Sequence, residues 1–121
     1  MDGNAMSKLA ALILCIGTFL LVQVITWFQL NGQFFNSWFK DNVFFLCLLG
    51  IPISWLYIEA TRLGFIAFDG LIWPGRLLGF AAGMFTFAVC ASIFMGEGLT
   101  NKTIVSLILA TILTFIQVFW K

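Results

Sequence analysis

The stretch LAALILCIGTFLLVQVITWFQ, residues 9–29, contains no Asp, Glu, Lys or Arg. An α-helix rises about 1.5 Å per residue, so about 20 apolar residues cross roughly 30 Å of hydrocarbon. Residues 9–29 reach that length. The run is too long for the apolar part of a typical signal peptide, and no small-residue cleavage site follows it. It therefore predicts a retained transmembrane helix.

The same pattern recurs three more times along the chain of 121 residues, in uncharged stretches at 42–58, 77–96 and 103–120. Lipid offers no partner to free backbone groups, so each crossing should be helical, and the alternating pattern of a β-barrel is not seen. We predict an all-α integral membrane protein. Its single four-helix transmembrane bundle covers residues 9–121 and follows a polar tail at 1–8. The predicted helices cover about 9–29, 42–61, 74–95 and 101–120.

The composition excludes several other classes of protein. Apolar residues make up 62% and charged residues 9% of the chain, against about 25% charged residues in soluble domains. The net charge of +1 argues against a nucleic-acid partner. The chain has no His, and Cys15, Cys47 and Cys90 lie singly in apolar runs, a spacing that suits neither a metal site nor a disulfide framework. We therefore predict no metal, no cofactor, and the lipid bilayer as partner.

The basic residues give the predicted orientation. An even number of crossings puts both termini on one side of the membrane, together with four of the six Lys and Arg residues. That excess favours termini in the cytoplasm, in a plasma membrane of the bacterial inner-membrane type. So small a difference also permits insertion in both orientations. The first group is Lys8, Arg62, Arg76 and Lys121, and the second is Lys40 and Lys102.

Turn-forming residues divide the predicted helices. Residues 30–33 contain Asn-Gly, which marks a turn, and residues 64–75 contain Asp-Gly and Pro-Gly, which indicate a turn and an interfacial segment. Pro52 removes a backbone hydrogen bond and should kink the second helix near its middle. Thr100 or Asn101 can cap the fourth helix.

A polar and aromatic stripe on the first helix is the leading candidate for a solute path. Gln23 lies well inside the apolar run, and Trp27 follows it by one helical turn. A buried amide needs a partner, so Gln23 should face the bundle or a cavity. Trp55 and Tyr57 on the second helix can face it and form an amphipathic pocket. The alternative is that Gln23 makes an interhelical hydrogen bond with no further role.

Glu59 and Arg62 form the candidate ion pair at the end of the second helix. Their spacing of three places them on one helix face, where they can pair. One interpretation is an interfacial pair that closes the helix. The other is a charge on a substrate or proton path. We expect a paired carboxylate rather than a proton carrier.

Small residues indicate where helices approach closely. Gly75, Gly79 and Gly83 lie on one face of the third helix, and Ser106 and Ala110 have the same spacing on the fourth. Association of helices in lipid relies on such close packing. The glycines serve either packing within one bundle or an interface between subunits. No catalytic residues are predicted, because no enzyme signature occurs in the sequence.

Several short motifs lie within about residues 20–121: Tyr57-Ile58-Glu59-Ala60-Thr61-Arg62-Leu63-Gly64, Phe94-Met95-Gly96-Glu97-Gly98-Leu99-Thr100, Trp27, Ser54-Trp55 and Phe119-Trp120-Lys121. Through these motifs the chain resembles the drug/metabolite transporter superfamily, in particular its small four-helix members. The turn before the last helix, with Glu97 in it, is the strongest match.

This resemblance implies a homodimer with a solute site. The small multidrug exporters of that superfamily carry a proton-coupling Glu in the middle of helix 1, whereas the nearest polar group here is Gln23. Proton-coupled drug export is therefore in doubt. Glu97 matches the turn Glu of the superfamily, which can approach the positive end of the last helix.

Three functions follow as hypotheses. The first is a transporter of a small solute or metabolite, with Gln23, Trp27, Trp55, Tyr57 and Glu59 along the path. The second is a non-transporting structural or accessory membrane subunit that packs through the glycines of the third helix. The third is a pore-forming lysis protein, against which the lack of a charged tail speaks.

Overall fold

The computed structural model describes residues 7–120. Residues 1–6 of the predicted polar tail at 1–8, and Lys121, lie outside this part. Within it the chain is helical, with no β-strand. The predicted all-α class is confirmed, because four helical segments are long and apolar enough to cross a membrane. The helices are α1 (Lys8–Asn31), α2 (Ser37–Asp41), α3 (Val43–Leu48), α4 (Gly50–Ala67), α5 (Trp73–Phe94) and α6 (Asn101–Phe119). The four candidate spans are Lys8–Phe34, Val43–Ala67, Trp73–Phe94 and Asn101–Phe119.

Helix α1 is the centre of the bundle. It packs against α4 on one side and α5 on the other, while α6 packs mainly on α5. The tightest packing joins α1 to α4, where Ala11, Cys15 and Ala60 are fully buried. The Cys15 thiol donates a hydrogen bond to the Ala60 carbonyl oxygen at 3.3 Å. Small side chains there let the two backbones approach closely, which is the main source of helix association in lipid.

The second membrane span is divided in the structure. Helix α3 ends at Leu48 and α4 begins at Gly50. Pro52 has no N–H to donate to the Leu48 carbonyl, four residues earlier, so the regular bonding pattern is interrupted there. The break lies near the start of the span, whereas a kink near its middle was predicted.

Two predicted helix ends lie further along the chain. Helix α1 continues through Asn31 into a 3₁₀ turn at Gly32–Phe34, so the predicted loop at 30–33 is helical. Helix α4 continues to Ala67, six residues beyond the predicted end at 61. It ends where Asp69 and Gly70 adopt positive φ angles of 57° and 86°. That left-handed conformation stops a helix and is easiest for glycine.

The ends of the helices are held by short contacts. Lys8 at the start of α1 forms an ion pair with Asp69 in the turn between α4 and α5. The Thr100 hydroxyl accepts a hydrogen bond from the Thr103 N–H and so caps α6. The carboxylate of Glu97 makes no hydrogen bond to the described residues near this cap. Of the two predicted caps, Thr100 and Asn101, Thr100 is the one that caps α6.

Candidate functional site

A cleft lies between α4 and α5. The two helices touch at one end, where a Cβ atom placed on Gly64 would lie 3.4 Å from the Gly75 Cα. Away from this point they make few contacts, and α1 lies behind the gap. The resulting cavity has a volume of about 770 Å³. This size lies within the range of small-molecule sites.

Each of the three helices contributes a regular stripe to the cleft. On α4 the lining residues are Tyr57, Thr61 and Phe65, spaced by one helical turn. Helix α1 supplies Phe19 and Gln23 at its back. The wall formed by α5 and the residue before it contains Ile72, Trp73, Gly75, Arg76, Gly79, Phe80, Gly83, Met84 and Phe87. Six of the fourteen lining residues are thus aromatic, with polar groups at a few points.

Gln23 is the polar group at the back of the cleft. Its side-chain N–H donates a long hydrogen bond of 3.4 Å to the Gly79 carbonyl oxygen. A Cβ placed on Gly83 would lie only 3.0–3.1 Å from the atoms of the Gln23 amide. Glycine at 83 therefore makes the space that the amide occupies. The amide keeps hydrogen-bonding capacity, because one long bond uses only a part of it.

Three further polar side chains line the cleft. The Thr61 hydroxyl bonds to the Tyr57 carbonyl of its own helix at 2.8 Å and so offers little to a ligand. Among the described residues no hydrogen bond engages the Tyr57 hydroxyl. Arg76 lies in the first turn of α5 and is the one charged residue of the lining that the structure describes.

Trp27 lies in a separate aromatic cluster, defined here as Trp27, Phe28, Phe35, Phe87 and Phe94. The Trp27 ring is 4% exposed and stacks on Phe35 with 5.9 Å between centroids. Phe87 belongs to both the cluster and the cleft lining, with its ring centroid 6.4 Å from that of Trp27. The Trp27 indole N–H is buried without a partner in the described part of the chain. Trp27 therefore supports one end of the cleft from behind.

The structure separates Trp55 and Glu59 from Gln23 and Tyr57. Trp55 is 67% exposed and lies on the outer side of α4. Glu59 and Arg62 form an ion pair through two contacts, with Arg62 Nη2 lying 3.0 Å from Glu59 Oε2 and Arg62 Nε donating at 3.3 Å to Glu59 Oε1. Neither partner lines the cleft. Of the five predicted path residues, two line the cleft.

The predicted packing residues lie largely at contacts within the chain. Gly79 contacts the Phe19 ring, where an added Cβ would lie 2.9 Å from a ring carbon. Together with Gly75 against Gly64 and Gly83 against Gln23, it places the glycine face of α5 towards α1 and α4. On α6, Ala110 is buried but Ser106 is exposed, and the Ser106 hydroxyl bonds to Lys102 of its own helix.

Sequence reasoning missed Thr61, Phe65 and Arg76 as lining residues. The spacing of Tyr57, Thr61 and Phe65 by four is a signal that could have found the α4 wall. The described residues contain no group of His, Cys, Asp and Glu side chains that could hold a metal ion. Comparisons with protein-family models, curated proteins and solved structures give no match for this chain. The cleft is therefore the feature of the molecule that bears most directly on its function.

Proposed function

We propose that the chain is a small membrane transporter that binds a solute or metabolite in the cleft between α4 and α5, as expected of a drug/metabolite transporter. The observation that carries this proposal is the cavity of about 770 Å³ with the Gln23 amide at its back. A sealed bundle would leave no room for a ligand. An aromatic lining with a few polar groups is typical of small-molecule sites.

The cleft supplies hydrogen bonds and aromatic surface rather than acid–base chemistry. Gln23 and Tyr57 can both donate to a solute and accept from it. The described lining contains no carboxylate. Coupling to protons through a carboxylate, as in small multidrug exporters, therefore has no residue in the described lining, and Gln23 is one of the polar groups that can bind the solute.

The proposal is tested by efflux from liposomes that contain the purified protein. A panel of fluorescent amphipathic dyes serves as probe, and at least one dye should leave faster than from protein-free liposomes. Gln23→Leu should slow that efflux by up to about tenfold, because one neutral hydrogen bond is lost.

Gln117→Leu on α6 is the matched control, because the same change is made outside the cleft. It should leave the efflux rate unchanged. Equal rates for the wild-type protein and Gln23→Leu would contradict a role for the cleft. Dye retention equal to that in protein-free liposomes would contradict transport.

We also propose an assembly through the outer face of α4, defined here as Ile51, Trp55, Ile58, Glu59 and Arg62. The observation in its favour is the position of the ion pair. Glu59 lies eight residues before the end of α4, which is about 12 Å along the helix at about 1.5 Å per residue. Charges at such a depth usually face protein or water.

A second copy of the chain fits this outer face. A two-fold axis would bring the arginine of each copy close to the glutamate of the other, so the pair is self-complementary. Such a homodimer is compatible with transport. The same face would equally serve the alternative function, that of a structural or accessory subunit, if a different protein covered it.

Disulfide cross-linking distinguishes these assemblies. In a background without native cysteines, Ile58→Cys should cross-link two copies, because Ile58 is exposed on the outer face of α4. Ile108→Cys on the exposed side of α6 is the control and should remain monomeric. Cross-linking of both variants to the same extent would contradict a specific interface.

The orientation is proposed from the charges. Lys8, Arg62 and Arg76 lie towards the membrane face where α1 begins and α4 ends, while Lys40 and Lys102 lie towards the other. We propose a bacterial-type plasma membrane with the first face in the cytoplasm. Fluorescent reporters fused to each terminus in turn should both report a cytoplasmic location. Two populations of opposite orientation would indicate dual topology instead.

A further inference from the structure

We propose that the ligand of the cleft is an anionic amphiphile with a single apolar tail, which reaches the cleft sideways from the bilayer and pairs its head group with Arg76. This inference rests on the proposed function and names the class of ligand for the same cleft. Three features of the described residues carry it: the exposure of the walls, the charge at one end and the length of the lining.

The walls are exposed where the surface faces lipid. Phe80 is 41% and Phe87 50% exposed although both line the cleft and lie within the third membrane span. The cleft therefore opens to the hydrocarbon rather than being sealed inside the bundle. A water-soluble solute would have to cross lipid to enter by that side, whereas an amphiphile is already dissolved there.

A single positive charge lies at one end of the lining. Arg76 is exposed in the first turn of α5, with Trp73 one turn before it in the sequence. Both lie near the membrane face that carries Lys8 and Asp69, the depth at which head groups and interfacial tryptophans meet. Among residues 7–120, no carboxylate lies within salt-bridge distance of Arg76. A guanidinium can bind a carboxylate or phosphate through two parallel hydrogen bonds.

The rest of the cleft suits an apolar tail. From Arg76 the lining on α5 continues through Phe80 and Gly83 to Phe87, a length of about 16 Å at about 1.5 Å per residue. Phe19 and Phe65 contribute further rings from the other helices. The volume of about 770 Å³ is typical of a site for a single small ligand. A long-chain carboxylate has the charge at one end and the tail that this arrangement requires.

Photo-cross-linking in nanodiscs of phosphatidylcholine tests the inference. The probe is stearic acid with a diazirine near the end of its tail, and mass spectrometry maps the labelled residues. Labelling should fall on Met84 and Phe87, at the end of the lining away from Arg76, and unlabelled stearate should prevent it. Methyl stearate and octadecylamine, which have the same tail but no negative charge, should compete at least about tenfold less well, because a charge-assisted hydrogen bond is lost.

Two variants sharpen the test. Arg76→Gln should lower labelling by stearate at least about tenfold and abolish the preference over methyl stearate. Lys40→Gln removes a positive charge at the opposite membrane face and should leave labelling unchanged. If Arg76→Gln does not fold, the competition on the unaltered chain still decides.

The outcomes separate this inference from the proposed function. Equal competition by stearate, methyl stearate and octadecylamine would overturn the anionic ligand and leave the cleft as a binding site. Displacement of the probe by phosphatidylglycerol at lower concentration than by stearate would overturn the single tail. If diazirine analogues of stearate, methyl stearate and octadecylamine all fail to label the cleft while dye efflux still depends on Gln23, the inference is overturned and the proposed function stands.

Discussion

Helix α4 approaches the backbones of α1 and α5 more closely at one of its ends than towards the other. Near the membrane face with Asp69, Gly64 touches both Cys15 of α1 and Gly75 of α5. Closer to the start of α4, Tyr57 and Thr61 face the cleft instead. We call these regions the packed end and the open cleft. Helix α4 therefore packs closely against its neighbours at one end and borders an open cavity at the other.

Side-chain size explains the difference. The packed end uses glycine, alanine and cysteine, which let three helices meet, whereas the part of α4 beside the cleft carries the larger side chains of Tyr57, Thr61 and Phe65. In lipid, where apolar burial gives no net gain between helices, close contact at the packed end must hold the bundle. Substitutions at the packed end should therefore cost more stability than substitutions in the open cleft.

Gly64→Leu should destabilise the bundle most. A Cβ at this position would lie 3.4 Å from the Cys15 thiol and from the Gly75 Cα, so the rest of a leucine has no space. We expect a loss of about 3 kcal/mol, the upper part of the usual range for overpacking. Unfolding in mixed micelles of rising dodecyl sulfate content, followed by circular dichroism, measures it.

Gly17→Leu is the control for Gly64→Leu, because a Cβ on Gly17 would meet no atom within 4 Å. It should leave stability unchanged or slightly higher, since leucine favours helix over glycine. Similar losses in both variants would mean that the packed end does not hold the bundle.

Ala60→Leu and Thr61→Leu compare adjacent residues on the two sides of α4. Ala60 is fully buried against α1, so leucine there should cost about 2 kcal/mol. Thr61 lines the cleft and is exposed, so leucine there should change stability by less than about 0.5 kcal/mol. The same unfolding measurement applies to both variants. An equal cost at 60 and 61 would show that the cleft is closed in the membrane.

Thr114→Val should have a small effect and tests how α6 is attached. The Thr114 hydroxyl lies 3.3 Å from the Leu77 carbonyl oxygen of α5 and 3.0 Å from the Ala110 carbonyl oxygen of its own helix, whereas the Thr111 hydroxyl bonds only to Leu107 of its own helix. Thr114→Val should cost about 0.6 kcal/mol, the average for such bonds in membranes. Thr111→Val should cost nearly nothing. The reverse order in the unfolding titration would place the α5–α6 contact elsewhere.

The spans could be predicted from the sequence because charge is so costly in hydrocarbon. Gaps between charged residues locate all four of them without any structural information. The end of α4 could not be predicted from the same signal. Arg62 and Gly64 are typical of helix ends, but a glycine that fits against Cys15 and Gly75 continues the helix, and only the positive φ at Asp69 and Gly70 ends it.

The cleft was accessible to sequence reasoning only in part. Gln23 could be placed facing inward because an amide inside an apolar helix needs a polar partner. For α4 the pattern is ambiguous, because lipid is as apolar as the bundle interior and leaves little periodicity to read. Glu59 was predicted both as the partner of Arg62 and as a path residue; it pairs with Arg62 and does not line the cleft.

The packing of α6 mainly on α5 has a consequence for biogenesis. The contacts of α1 with α4 and α5 are complete once residue 94 has left the ribosome, so the cleft can assemble before the last span is inserted. Helix α6, inserted last, then packs against a three-helix unit that has already folded and stabilises it. A nascent chain whose first 100 residues have left the ribosome would already expose a finished binding groove to the bilayer.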